Sequence, residues 1–155
     1  MASLSAVART APQLIATATL TVDTHGEGFV EITRHAAQFL EAAGADDGLL
    51  LLFMRHTSAS LVIQENADPD VRADLGTALR ELAPADGPWV HQTEGPDDMP
   101  AHIKAMLTGV SLHVPVIGGK LALGTWQGIY VAEHRARPHR REVVLQFLGD
   151  TRQSP

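Results

Sequence analysis

The chain has 155 residues, 45% of them hydrophobic and 19% charged, with no cysteine and a formal net charge of −6. That describes one ordinary globular domain able to bury its own core. It excludes disulfides, thiolate nucleophiles and cysteine-ligated clusters, and it opposes a general nucleic-acid-coating role, which needs a broad basic surface. The longest apolar run, Leu49–Met54, falls far short of the ~20 residues of a membrane-spanning helix. Residues 1–12 carry no secretory pattern and read as a loose N-terminus. A cytoplasmic protein with no membrane partner is the expectation.

Gln13–Val22 is rich in Thr, Val and Ile and reads as a first strand. After a turn at Asp23–Gly28, Phe29, Ile32, Ala36, Phe39, Leu40 and Ala43 recur at helical spacing, with Gly44 where a helix ends. Leu49–Arg55 reads as a strand buried on both faces, and Ala59–Gln64 as another short strand. Asp68-Pro69 is a helix start, an Asp cap before Pro at the first helical position, and Val71, Leu75, Ala78, Leu79 and Leu82 follow as one apolar stripe. A loop at Pro84–Pro88 precedes a short helix after Met99-Pro100 that stops at Gly109. Leu112–Ile117 and Lys120–Leu123 form a hairpin around Gly118-Gly119, and Trp126–Glu133 and Glu142–Leu148 are further strands. The order predicts an α+β domain over 13–150, helices laid on a mixed or antiparallel sheet, with 151–155 as a C-terminal tail.

Five segments carry polar chemistry. His56-Thr57-Ser58 leaves an apolar strand, where loops present ligand-binding groups, although no GxSxG elbow surrounds either serine. Glu65-Asn66 precedes Asp68 and Asp70; helix capping accounts for Asp68 and part of Asp70 but leaves Glu65 and Asn66 unexplained. His91 and His102 bracket Glu94, Asp97 and Asp98, a ligand set suited to Zn²⁺ and other divalent ions, or else a solvated acidic loop. Trp126 and Gln127, beside Gly124 and Gly128, offer a stacking and hydrogen-bonding surface, or a Trp packed near a sheet edge. Arg135, Arg137, Arg140 and Arg141 cluster in an acidic chain, an anion site or a solvated turn. Glu133 and Glu142 can pair with at most two of these charges, which leaves a guanidinium free. Arg141 is expected to be that one, contributing to phosphate binding and little to stability.

Together the stretches HTSASL (56–61), QENADPDV (64–71), HQTEGPDDMPAHIKAMLTGVSL (91–112), VPVIGGKLALGTWQGI (114–129) and EHR (133–135) resemble the YjbQ family, in its bacterial branch. The family position of Gln64 is more often Asn. The resemblance implies the family's compact fold, a homotrimer, and a secondary, weak thiamine-phosphate synthase activity. That reaction joins hydroxymethylpyrimidine diphosphate to thiazole phosphate and releases pyrophosphate. Such a leaving group calls for a divalent metal, Mg or Zn, or arginines, and for no organic cofactor. On this reading His56, His91 and His102 are the metal ligands, with Asp98 or Glu65 completing the shell and both counted with Arg141 as catalytic. Arg140 and Arg141 take phosphate. Trp126 and Gln127 hold the pyrimidine, and Thr57, Ser58 and Asn66 line the substrate site. A non-catalytic trimeric binding module and a metal-dependent phosphate-ester hydrolase use the same residues.

Overall fold

The computed structural model describes Met1–Arg152. Two antiparallel sheets carry the fold. The larger has strand order β1-β8-β3-β5-β6, from β1 (Leu14–Thr24), β3 (Ala45–Met54), β5 (Ser111–Ile117), β6 (Lys120–Leu121) and β8 (His139–Thr151). The smaller has order β2-β7-β4, from β2 (Gly28–Glu31), β4 (Ala59–Glu65) and β7 (Gln127–Glu133). Helices α1 (Thr33–Ala42), α2 (Pro69–Leu82) and α3 (Asp98–Thr108) complete an α+β domain. The core joins Leu50, Leu52, Val143 and Phe147 of the large sheet to Leu61, Ile129 and Val131 of the small one and to Ala36 and Leu40 of α1.

The Asp68 cap is in place: its Oδ1 accepts Asp70 N–H at 2.9 Å, and α2 ends at Leu82 as its apolar stripe predicts. Gly118 and Gly119, at φ 56° and 73°, turn the β5–β6 hairpin in the left-handed region that side chains disfavour. Residues 1–12 form no helix or strand.

Four expectations change. The helical spacing from Phe29 is overridden because β2 hydrogen-bonds β7 from Gly28↔Glu133 to Glu31↔Tyr130, so α1 begins at Thr33. The Leu49–Arg55 strand is covered on one face only: Leu50, Leu52 and Met54 are buried, while Leu49 and Phe53 face outward. β8 runs from His139 rather than Glu142, because pairing with β1 extends to Asp23↔Arg140 and Thr24↔His139; this puts two cluster arginines in a strand, not a turn. At its other end β8 takes in Thr151, which the tail was expected to include, and 153–155 lie outside the described residues.

Candidate functional site

The first turn of α3 and the loop before it bring His91, Asp98 and His102 together, one ligand atom of each within 4.8 Å of the others. Asp98 and His102 stand four apart, on one face of the helix. His91 Nε2 and His102 Nε2 both point at Asp98 Oδ2, at 2.7 and 3.1 Å. His102 Nδ1 lies 3.0 Å from the Thr57 carbonyl. A carbonyl only accepts, so Nδ1 carries a proton and donates to it, while Nε2 faces a carboxylate oxygen. Two electron-rich atoms at that distance need a proton or a cation between them.

Arg135 anchors the group from outside. Its Nη1 donates to Asp98 Oδ1 at 2.5 Å, its Nε to Asp97 Oδ2 at 3.1 Å and its Nη2 to the Glu94 carbonyl at 2.8 Å. Burial pushes the Asp98 carboxyl up, but the His91 hydrogen bond and the charges of Arg135 and His102 outweigh it and hold Asp98 below the usual carboxylate range. Asp97 is held down in the same way by Ala136 N–H and Arg135 against its burial.

His102 also lines a cleft of about 870 Å³ with His56, Thr57, Ser58, Met106 and Arg141. His56 stands on that wall but outside the His91–Asp98–His102 group. Its Nε2 accepts Glu142 N–H at 3.0 Å, so that lone pair is already used. Burial, then the Arg141 charge, lowers its pKa. Of the three histidines expected to converge, the structure brings His91 and His102 together with Asp98 and leaves His56 outside that group.

Arg141 is the larger correction. It is buried against Glu133, with Nε 2.7 Å from Oε2 and Nη2 2.5 Å from Oε1, and Nη2 also reaches Ser58 Oγ at 3.0 Å. Glu133 further accepts Thr24 Oγ1 at 2.6 Å and the His134 and Arg135 amides at 3.0 Å each. Burial opposes its charge, yet these donors keep its pKa low. Arg140 is exposed on β8 and pairs with Asp23 at 3.1 Å.

Glu65, Asn66, Trp126 and Gln127 gather elsewhere. β4 and β7 pair antiparallel from Ala59↔Glu133 to Glu65↔Gln127, so these four sit at the far end of the small sheet. Six steps of about 3.3 Å put them roughly 20 Å from Glu133 along β7. Their polar atoms serve local turns: Glu65 accepts Asp68 N–H, Asn66 N–H donates to the Trp126 carbonyl, and Gln127 Oε1 accepts Gly124 N–H at 2.8 Å. The Trp126 ring is 63% exposed. Within one chain, Glu65 completes no shell with the histidines and Trp126 and Gln127 face no common cavity with them.

Fold and site define a small α+β protein with a histidine–carboxylate group at the rim of an open cleft. Residues 18–150 match the family described as UPF0047 protein YjbQ-like, and the chain belongs to that family. It is 48% identical over 132 residues to UPF0047 protein sll1880 of Synechocystis sp., covering 84% of this chain and 90% of that one. With UPF0047 protein YugU of Bacillus subtilis it shares 37% over 128 residues, 81% and 93% of the two chains. Among solved structures, hypothetical protein APE1520 of Aeropyrum pernix superposes with a TM-score of 0.81 at 33% identity, over 87% of this chain and 99% of that one. Conserved hypothetical protein TT1486 of Thermus thermophilus gives 0.73 at 43% identity, over 82% and 97%. No helix among the described residues is long and apolar enough to cross a membrane.

Sequence reasoning missed Arg135 as the anchor of Asp98, and Thr24 and His134 as partners in the buried layer. The signal for Arg135 was its place beside Glu133 in a chain whose acids cluster at 94–98; pairing them needed the fold.

Proposed function

We propose that the chain is a cytoplasmic, metal-dependent enzyme acting on a phosphorylated small molecule, with weak thiamine-phosphate synthase activity as its reaction class. The observation that carries this reading is the convergence of His91 and His102 Nε2 on Asp98 Oδ2 beside a cleft of about 870 Å³. The donor set fits a divalent ion such as Zn²⁺: two imidazole nitrogens and a carboxylate, with outer-shell bonds from Thr57 and Arg135 that orient them. Such an ion would stabilise negative charge developing on a departing pyrophosphate. The protein's own residues do the rest. Arg135 holds Asp98 in place, the Thr57 carbonyl sets the His102 tautomer, and the Arg141–Glu133 pair supports the cleft wall at Ser58. Phosphate is met by the cleft's polar wall, not by Arg140.

The reading includes a homotrimer. Ile15, Leu148, Leu49 and Pro115 align across β1, β8, β3 and β5 on the outer face of the large sheet. Leu148 and Leu49 are 43% and 37% exposed and Ile15 65%, a row that association would cover. Light scattering at micromolar concentration tests this, and a mass of one chain overturns it.

Pyrophosphate release from hydroxymethylpyrimidine diphosphate tests the chemistry. Release only with thiazole phosphate present supports the synthase, release without it supports a hydrolase, and no release supports a binding module. In parallel, zinc titration should show binding by the native chain and none by Asp98→Ala.

A further inference from the structure

A second pocket, of about 250 Å³, lies between α2 and the turn at Glu27 and contains no residue of the His91–Asp98–His102 group. It sits on the other side of α3: Lys104 lines it, and His102, two residues back, is turned roughly 200° around the helix at 3.6 residues per turn. The Glu133–Arg141 pair separates the two spaces, with Arg141 facing the cleft and Glu133 this pocket.

The charged and titratable groups lining it are Glu27, Arg72, Arg80, Lys104, Glu133 and His134. Glu133 is neutralised by Arg141. Burial, then the Lys104 charge, takes the His134 pKa down to about 4, so this ring is neutral at pH 7, with its Nε2 held by Ser60 Oγ at 2.8 Å. Three cations therefore face one unpaired-elsewhere carboxylate, Glu27, in a protein whose overall charge is negative. Lys104 is 3% exposed and its ammonium has three donors, yet among the described residues its one hydrogen-bond partner is Glu27 Oε1 at 3.3 Å. Arg80 reaches the same carboxylate only at 3.8 Å and donates otherwise to Thr77 Oγ1; Arg72 donates to Tyr130 Oη at 3.3 Å. A buried ammonium with one long contact is under-satisfied, since charged groups taken from water need close and multiple partners.

Glu27 is not locked in by burial. It is partly exposed and sits between Gly26 and Gly28, both at positive φ (135° and 151°), on a turn side chains would strain.

We propose that this pocket is an oxyanion site built on Lys104, Arg72 and Arg80, in which the Glu27 carboxylate occupies the anion's place until a phosphate group displaces it. The ligand class is a free phosphate or a small phosphomonoester, for which 250 Å³ is sufficient. Guanidinium and ammonium together suit its tetrahedral oxygens, and the neutral His134 wall adds no competing charge. The site stands independently of the metal reading.

Isothermal titration with inorganic phosphate, and separately with glycerol phosphate, tests it on the full chain. Saturable binding should appear at millimolar concentrations and persist in His102→Ala, which removes the other site. Glu27→Gln should tighten binding several-fold by removing the internal competitor. Lys104→Met should weaken it about tenfold or more, the equivalent of one lost charge-assisted hydrogen bond. If Lys104→Met does not fold by circular dichroism, Arg80→Gln at the pocket rim should show the same direction. A response to the ester but not the free anion identifies a phosphomonoester site, and the converse a free-phosphate site. Absence of binding in both the native chain and Glu27→Gln, indifference to Lys104 and Arg80, or weaker binding in Glu27→Gln overturns the proposal.

Discussion

The two ends of β7 both gather polar side chains and use them in opposite ways. At the Glu133 end, the buried side chains Ser60, Asp98, Glu133, His134, Arg135 and Arg141, from β4, α3, β7, β8 and the turn between the last two, pair with one another over long range. At the Gln127 end, amide, carboxylate and indole groups close turns within their own neighbourhood and leave Trp126 in solvent. Polar residues of one motif thus either hold the fold together at long range or shape a surface locally, and spacing along the chain does not say which.

Arg141→Ala is the strongest way to break the contrast. It leaves Glu133 charged and buried without its partner, and should cost about 3–5 kcal/mol in urea unfolding. A loss below about 1 kcal/mol would place Arg141 with the surface cations. The next effect is a pH dependence. His134 has a folded pKa of about 4 against about 6.5 unfolded, so below pH 6.5 the unfolded chain binds a proton the native chain refuses. Stability should be full above pH 6.5 and fall by about 3 kcal/mol as pH drops toward 4, the value of that shift. The lowered carboxyls of Glu133, Asp98 and Asp97 extend the loss as pH falls through their own folded values. His134→Gln should flatten the upper part of the curve and leave the acid limb; an unchanged curve would take the imidazole out of the buried layer.

Smaller effects belong to the open end. Asp68→Ala removes the α2 cap beside the Trp126 turn and should cost about 1 kcal/mol by thermal melting. Trp126→Ala should stay within about 0.5 kcal/mol and, under the proposed metal reading, leave zinc affinity as it is, because the residue is mostly in solvent and remote from Asp98. A marked loss of zinc affinity would show that a second chain brings the two ends together.

How much of this the sequence discloses depends on the range of the interaction. Local signals read correctly: the Asp68-Pro69 start, the Gly118-Gly119 turn and the apolar stripe of α2 all act within a few residues. The His91–Asp98–His102 group is half local, since Asp98 and His102 share a helix face; the sequence puts all three in one candidate segment but sets His56 with them and leaves Asp98 and Glu65 as alternatives. What failed was set by pairing across the chain. Phe29 and Ile32 carry a helical period that β7 overrides by hydrogen-bonding β2. Arg140 and Arg141 look alike in sequence, yet alternate strand positions send one to solvent beside Asp23 and the other inward to Glu133. His56 Nε2 is taken up by a single backbone amide, that of Glu142 far along the chain, which no local pattern announces.

The position of β8 also governs when the molecule can exist at all. It is the last strand in chain order among the described residues and lies between β1 and β3 in the large sheet, paired with both along most of its length. A ribosome translating this chain therefore exposes β1 and β3 with no partner between them, and the sheet closes only after residue 151 has been added. Contacts between the two ends of a chain carry a high loop-closure cost and form slowly. During that interval the Leu49–Phe53 segment is an apolar strand with a bare edge, the kind of intermediate chaperones hold. Truncations that remove β8 should accordingly yield aggregated chains during synthesis rather than a smaller folded domain.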